Sequence, residues 1–115
     1  MNYTENLKNK LLLLVDEINE QIGSNIKFNQ QNIIKENMSF SGANGRIWIT
    51  PFHSQYDICL SGKSIEKHMY NFMCSICGKK NDGYKQTKPE PYAPFWRVSD
   101  FKLVEKAAYH YAKTK

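Results

Sequence analysis

The hydrophobic period of the chain changes near residue 24, and this change constrains the fold more than any other feature. Before it, apolar residues recur every three or four positions, at Leu7, Leu11, Leu14, Ile18 and Ile22, the spacing of one helix face. After it, Ile26 and Phe28 alternate with Lys27, as side chains do on the two faces of a strand. Because the two periods need different backbones, the sequence predicts an α+β fold that begins with a helix.

The ends of this first helix are also marked in the sequence. Asn2 can accept a hydrogen bond at the N-terminus of the helix, and Glu5 stands three residues later, as in a capping box. Gly23 can take the left-handed conformation that commonly ends a helix. The leucines between these residues are therefore predicted to pack in the core.

Residues 26–60 predict an antiparallel meander of three or four strands. Asn44-Gly45 is a strong hairpin signal. In the next strand Ile47 and Ile49 share one face, and the opposite face carries Trp48, Thr50 and Phe52. The strand after it alternates Tyr56, Ile58 and Leu60 with Asp57 and Cys59. Pro51 lacks an N–H donor, so we expect its strand to end there or to lie at an edge.

The second half predicts two further helices joined through a long basic loop. Ser64 is a candidate N-cap and Gly78 a candidate C-cap; the apolar face between them comprises Ile65, Met69, Phe72, Met73 and Ile76. Residues 78–94 show no apolar period but contain three prolines and four lysines, and an irregular segment of this length is often functional. A short strand at 95–98 then leads to a last helix capped by Ser99 or Asp100. We expect four residues from different elements to meet in the core: Leu11, Ile49, Phe72 and Val104.

Length and composition limit the classes of protein to consider. The 115 residues, 41% of them apolar, suit a single globular domain spanning residues 1–115. The longest apolar run, residues 11–15, is too short to cross a membrane. Three cysteines do not make a disulfide framework. An intracellular, cytoplasmic protein is therefore expected, and its oligomeric state is left open.

The candidates for metal binding and catalysis are weak. Cys74 and Cys77 have the spacing of half a zinc site. The other two ligands would have to come from distant residues, namely Cys59, His53, His68 or His110. On the predicted helix, Cys74 points away from the apolar face and Cys77 lies at its boundary. The sequence also lacks a recognisable nucleophile, paired carboxylates or a phosphate loop. We therefore expect no metal, no cofactor and no enzymatic activity.

The uneven charge is the strongest functional feature. Residues 1–60 carry five basic and six acidic side chains, whereas residues 61–115 carry eleven and five. Basic and aromatic side chains alternate in and beside the predicted loop, and we take them as the candidate binding residues: Lys79, Lys80, Tyr84, Lys85, Lys88, Tyr92, Trp96 and Arg97. Lysines can neutralise phosphates and aromatic rings can stack on bases. The sequence thus predicts a small non-enzymatic protein whose basic half binds nucleic acid, DNA or RNA, mainly through the backbone. The alternative is a protein-directed inhibitor or adaptor, for example a mobile-element anti-defence protein, that docks on an acidic protein surface.

Overall fold

The computed structural model describes residues 2–43, 45–86 and 92–113, and it confirms the α+β class. The elements follow in the order α1 (Tyr3–Ile22), β1 (Lys27–Gln30), β2 (Met38–Gly42), β3 (Gly45–Phe52), β4 (Gln55–Ser61), α2 (Lys63–Cys77), β5 (Gly83–Lys85), β6 (Ala93–Val98) and α3 (Phe101–Lys113). Within the described residues, the prediction of three or four strands is wrong, because six strands form one antiparallel sheet.

Helix α1 has the predicted ends. The backbone N–H of Glu5 donates to Asn2 Oδ1 over 3.0 Å. Gly23 ends the helix with a φ of 66°. Between these caps every third or fourth side chain is buried, as the sequence predicts, so the helix lies along the core.

Strands β1 to β4 form the predicted meander, with one difference at the β2–β3 hairpin. Gly42 pairs with Gly45, so Gly45 already belongs to β3. Asn44, half of the predicted turn signal, lies outside the described residues. Gly45 has a φ of 102°, and a Cβ atom there would come within 2.9 Å of the carbonyl oxygen of Ser61, so both backbone conformation and space require glycine. Pro51 lies in β3 beyond the last residue paired with β2, so its missing N–H breaks no bond to that strand.

The region predicted as an irregular loop is partly strand. β5 and the first residues of β6 lie inside the 78–94 segment, and the sheet order is β1-β2-β3-β4-β6-β5. Strand β6 is therefore inserted between β4 and β5. This places Arg97 directly opposite Asp57, which is 40 residues earlier in the chain.

Helices α2 and α3 differ from prediction mainly at their N-termini. α2 begins at Lys63, one residue after Gly62, so Ser64 is not its N-cap. Gly78 ends α2 as predicted, with a φ of 67°. Of the two N-cap candidates for α3, Asp100 is the cap, because its carboxylate accepts a hydrogen bond from the backbone N–H of Lys102. Near the other end of α3, the Tyr111 hydroxyl donates to the carbonyl oxygen of Gly45 over 2.7 Å.

The core lies between the sheet and the three helices, all on one side of the sheet. Of the four residues expected to meet there, Leu11, Ile49 and Val104 have no exposed surface, whereas Phe72 is only partly buried and stacks on His110. The sheet side chains that face the helices are Phe40, Ile47, Ile49, Ile58, Leu60, Trp96 and Val98. No described helix is long and apolar enough to cross a membrane.

Because side chains alternate along a strand, the intervening residues project from the other side of the sheet. We call this side the open face, since none of the described helices covers it. Its central side chains are Arg46, Trp48, Thr50, Phe52, Asp57, Cys59, Lys85, Phe95 and Arg97.

Candidate functional site

The open face is organised in two rows that run across the strands. One row places Thr50, Asp57 and Arg97 side by side on β3, β4 and β6. The neighbouring row places Trp48, Cys59 and Phe95 on the same three strands. Directly opposite residues on one face of an antiparallel pair have Cβ atoms about 5 Å apart, close enough to interact. The strand pairing thus assembles polar, charged and aromatic groups that are far apart in sequence.

A buried carboxylate is the centre of the first row. Asp57 is only 2% exposed and accepts two hydrogen bonds from Arg97, at 2.8 Å from Nε and 3.0 Å from Nη2. Lys85 Nζ lies 2.8 Å from the same carboxylate and also donates to the Thr50 hydroxyl over 3.2 Å. Both cations remain about one third exposed. Two positive charges therefore hold one negative charge at the surface of the sheet, and the group keeps a net positive charge.

The pKa values agree with this arrangement. Burial by itself would raise the pKa of Asp57, but the hydrogen bonds and charges of Arg97 and Lys85 outweigh it and hold that pKa below its ordinary value. The hydrogen bonds that Arg97 donates to Asp57 in turn raise the pKa of Arg97. Asp57 and Arg97 are therefore both charged at neutral pH.

Both arginines of the chain lie on the open face, and each lies over an aromatic ring. The guanidinium carbon of Arg97 is 3.4 Å from the ring centre of Phe52 and 5.5 Å from that of Phe95. The guanidinium carbon of Arg46 is 5.3 Å from the ring centre of Trp48. A ring close to a guanidinium attracts it electrostatically and helps to fix its position.

A cleft of about 600 Å³ opens beside the second row, between the sheet and the loop of residues 31–37. Its lining combines sheet residues with loop residues and the end of β5: Gln31, Ile34, Glu36, Asn37, Trp48, Thr50, Pro51, Cys59, Lys85 and Gln86. Burial raises the pKa of the Cys59 thiol to about 12, so this group is protonated at neutral pH. The cleft therefore offers polar and apolar contacts but no thiolate nucleophile.

The structure separates the candidate residues predicted from the sequence. It brings Lys85 and Arg97 together on the open face. Tyr84 projects from the opposite side of the sheet, in register with Pro94, and is 60% exposed. Trp96 projects from that same side but is fully buried in the core, where its Nε1 donates to the Lys79 carbonyl oxygen. It therefore has no surface to offer a ligand.

The remaining candidates lie away from the open-face rows or outside the described residues. Lys79 Nζ bonds to the Asp82 carboxylate and to the carbonyl oxygen of Arg97, so it braces the α2–β5 connection. Lys80 and Tyr92 are exposed. Lys88 lies outside the described residues. The basic segment thus does not present one continuous row of lysines among the residues described.

Four basic or aromatic side chains at the centre of the open face were absent from the candidate set: Arg46, Trp48, Phe52 and Phe95. The signal for three of them was present, since alternation along β3 already assigns Trp48 and Phe52 to the face opposite Ile47 and Ile49. The same alternation places Arg46 on this face of β3. The proximity of Phe95 and Arg97 to these residues depends on β6 pairing with β4, which no local pattern indicates.

The cysteines give no support to a metal centre. Cys74 packs partly buried against the edge of the core, so its predicted orientation away from the core is wrong. Burial raises the pKa of the Cys77 thiol, which disfavours the thiolate that zinc requires. Among the described residues, no three His, Cys, Asp or Glu side chains are grouped closely enough to hold an ion.

Comparison with known proteins assigns no relative to this chain. No protein-family model matches it, and neither a curated protein nor a solved structure is significantly similar.

Proposed function

We propose that the protein binds single-stranded nucleic acid, without catalysis, across the open face of its sheet. The observation that carries the proposal is the placement of both arginines on this face, each against an aromatic ring. Unpaired bases stack on aromatic rings and on guanidinium planes, and such stacking contributes about 1–3 kcal/mol per base. A flat antiparallel surface with several such groups suits an extended strand.

The charge of the open face supports the same ligand. Register places Lys27 on this face in one row with Arg46, and the row of Trp48 separates it from the row that contains Asp57 and Arg97. Phosphates can be neutralised by the exposed parts of these cations, while Asp57 keeps Arg97 in a fixed orientation. Lysine and arginine contacts of this kind give affinity with little choice of sequence.

The test is a titration of labelled 12-nucleotide single strands and duplexes, followed by anisotropy at two salt concentrations. Changing Lys27 and Arg46 together to Gln should weaken single-strand binding about tenfold and flatten the salt dependence by about 0.7 for each lost phosphate contact. The matched control changes Lys102 and Lys106 to Gln, because this pair removes the same charge from exposed positions of α3. The control should weaken binding less than twofold.

Two outcomes would overturn the proposal. One is the absence of any binding to single strands at about 50 mM salt, where nonspecific electrostatic binding is strong. The other is an equal loss of affinity in the open-face variant and the α3 control, which would mean that net charge alone attracts the nucleic acid.

A protein partner with an acidic surface is the second candidate, and the loop of residues 31–37 favours it. Ile33 is 93% exposed and Ile34 is 49% exposed, so an apolar tip stands beside the basic face. Apolar residues flanked by polar ones are common at protein interfaces. Changing Ile33 to Ser should abolish capture of a protein partner and leave nucleic-acid affinity unchanged. Loss of nucleic-acid affinity alone would contradict this candidate.

A further inference from the structure

The cleft between the sheet and the loop of residues 31–37 is lined by a residue that has an unused hydrogen-bond donor. Trp48 lines the cleft, and its Nε1 is buried and has no acceptor among the described residues. Buried indole N–H groups usually find a partner, because an unpaired one loses its bond to water without compensation. An acceptor supplied by a ligand would compensate that loss.

The loop side of the cleft presents a donor and an acceptor close together. Asn37 Nδ2 donates to Gln31 Oε1 over 3.1 Å, and both residues line the cleft. This bond does not use Gln31 Nε2, a donor, or Asn37 Oδ1, an acceptor. Two linked amides therefore offer one group of each kind, which is complementary to the polar edge of a nucleobase.

The hydrogen bonds of the described residues do not tie the loop of residues 31–37 to the far side of the cleft. Among the described residues, its hydrogen bonds connect it only to itself and to its own ends: Gln31 N to Asn37 O, Asn37 N to Ile34 O, Met38 N to Glu36 O, and Gln30 Nε2 to Lys35 O. None of these bonds crosses to β3, β4 or β5. Lifting the loop from the indole therefore breaks no hydrogen bond to the far side of the cleft.

Size and polarity agree with a small planar ligand. The volume of about 600 Å³ lies within the usual range for small-molecule sites. Ile34, Pro51 and the Trp48 ring supply apolar walls, and Lys85 supplies a positive charge on the side of the open face. A heteroaromatic ring that carries acceptors and is attached to a phosphate matches these contacts.

We propose that this cleft binds one nucleobase, with the Trp48 indole N–H and the Gln31–Asn37 amide pair contacting its polar edge. The inference rests on the proposed function for the source of the base, a single strand lying on the open face; a free nucleotide is the other source with the same chemistry. It adds base recognition to a surface that otherwise contacts phosphates and stacks on bases.

The experiment compares an eight-nucleotide thymidine strand with the same strand containing abasic sites, and adds thymidine monophosphate as a separate probe. The wild type should bind the intact strand at least about tenfold more tightly than the abasic strand. Trp48→Phe keeps a ring but removes the N–H, so it should reduce this difference about threefold, while base stacking on the open face maintains the remainder. Gln31→Glu keeps the acceptor for Asn37 and removes the donor, so it should have a similar effect. Tyr3→Phe, an exposed position on α1, is the control and should change nothing.

The outcomes separate the two proposals. If Trp48→Phe and Gln31→Glu discriminate between intact and abasic strands as strongly as the wild type does, base recognition in the cleft is overturned and strand binding by the open face is left in place. If the wild type binds neither strand, the proposed function fails. In that case, quenching of Trp48 fluorescence by thymidine monophosphate, lost in Trp48→Phe, would still support a nucleobase site, whereas no quenching would overturn it.

Discussion

The two faces of the sheet are built from the same strands and stabilised in different ways. On the helix side, Ile47, Ile49 and Ile58 have no exposed surface because helices cover them. On the open face, their sequence neighbours include Asp57, which is almost as buried, with Arg97 and Lys85 as its nearest partners. Apolar packing against the helices stabilises the helix side of the sheet, whereas ion pairs and aromatic contacts stabilise the open face.

The comparison shows where binding energy is available. The apolar groups under the helices are already buried in the folded protein. Their burial therefore stabilises the fold and is not available for binding a ligand. Arg97, Phe52 and Lys85 are only partly withdrawn from water and still have surface to offer. Holding a face together by ion pairs requires the charged groups to lose part of their hydration, which costs free energy. A role beyond stability would account for this cost.

The largest expected effect is on the helix side. Trp96→Ala should lower the free energy of unfolding by about 3–5 kcal/mol, because it removes a fully buried ring from the core. Urea unfolding measures the loss. Tyr84→Ala, an exposed aromatic on the same side at the sheet edge, is the control and should change stability by less than about 0.5 kcal/mol. A loss below about 1 kcal/mol for Trp96→Ala would contradict the different roles assigned to the two faces.

The next effect concerns the ion pair of the open face. Arg97→Ala should cost about 3 kcal/mol, because it leaves the buried Asp57 carboxylate with Lys85 alone. Lys85→Gln should cost less, about 1–2 kcal/mol, since the two bonds from Arg97 remain. Lys85 is therefore not a position that can be neutralised without affecting the fold. Adding Asp57→Asn to Arg97→Ala should recover part of the loss, and strictly additive effects would show that the groups are not coupled.

Lowering the pH should destabilise the protein through the ion pairs of Asp57 on the open face. The pKa of Asp57 is depressed in the folded state, so its contribution is complete above the unfolded value of about 3.9 and is lost as the pH falls from there toward the folded value. Between pH 5 and pH 3 the wild type should therefore lose more stability than Asp57→Asn. Asp82 has a depressed pKa as well, and Asp82→Asn serves as the comparison at a more exposed site. Identical pH dependence in the wild type and Asp57→Asn would contradict the assignment.

The smallest expected effect on stability is at Phe52, which is 39% exposed. Phe52→Ala should cost less than about 1 kcal/mol of stability, since it removes a partly exposed contact with Arg97. The same change should weaken single-strand binding about tenfold through lost stacking. Chemical unfolding and anisotropy, measured on one preparation, give both values. A large stability loss with unchanged affinity would assign Phe52 to the core instead.

The local features of the fold were predictable and the long-range ones were not. The caps of α1, the ends marked by glycine and the alternation along β3 and β4 follow from neighbouring residues. Strand β5 was missed because its three residues, Gly83–Lys85, contain no apolar alternation and lie in a segment rich in lysine and proline. The insertion of β6 beside β4 depends on tertiary packing. Lys85 and Arg97 were therefore named as candidates, but their shared partner Asp57 could not be recognised.

The position of β6 in the sheet has a consequence for how the chain folds as it is synthesised. The first four strands leave the ribosome in order and can pair with one another, but Asp57 receives neither of its cationic partners until residues 85 and 97 have been made. A nascent chain that ends before β6 exposes the edge of β4 and an uncompensated carboxylate on a strand that is otherwise ready to pair. Acidic side chains on an unprotected edge discourage pairing with other chains. The residue that organises the open face in the folded protein is thus a charge on an edge strand until β6 has been made.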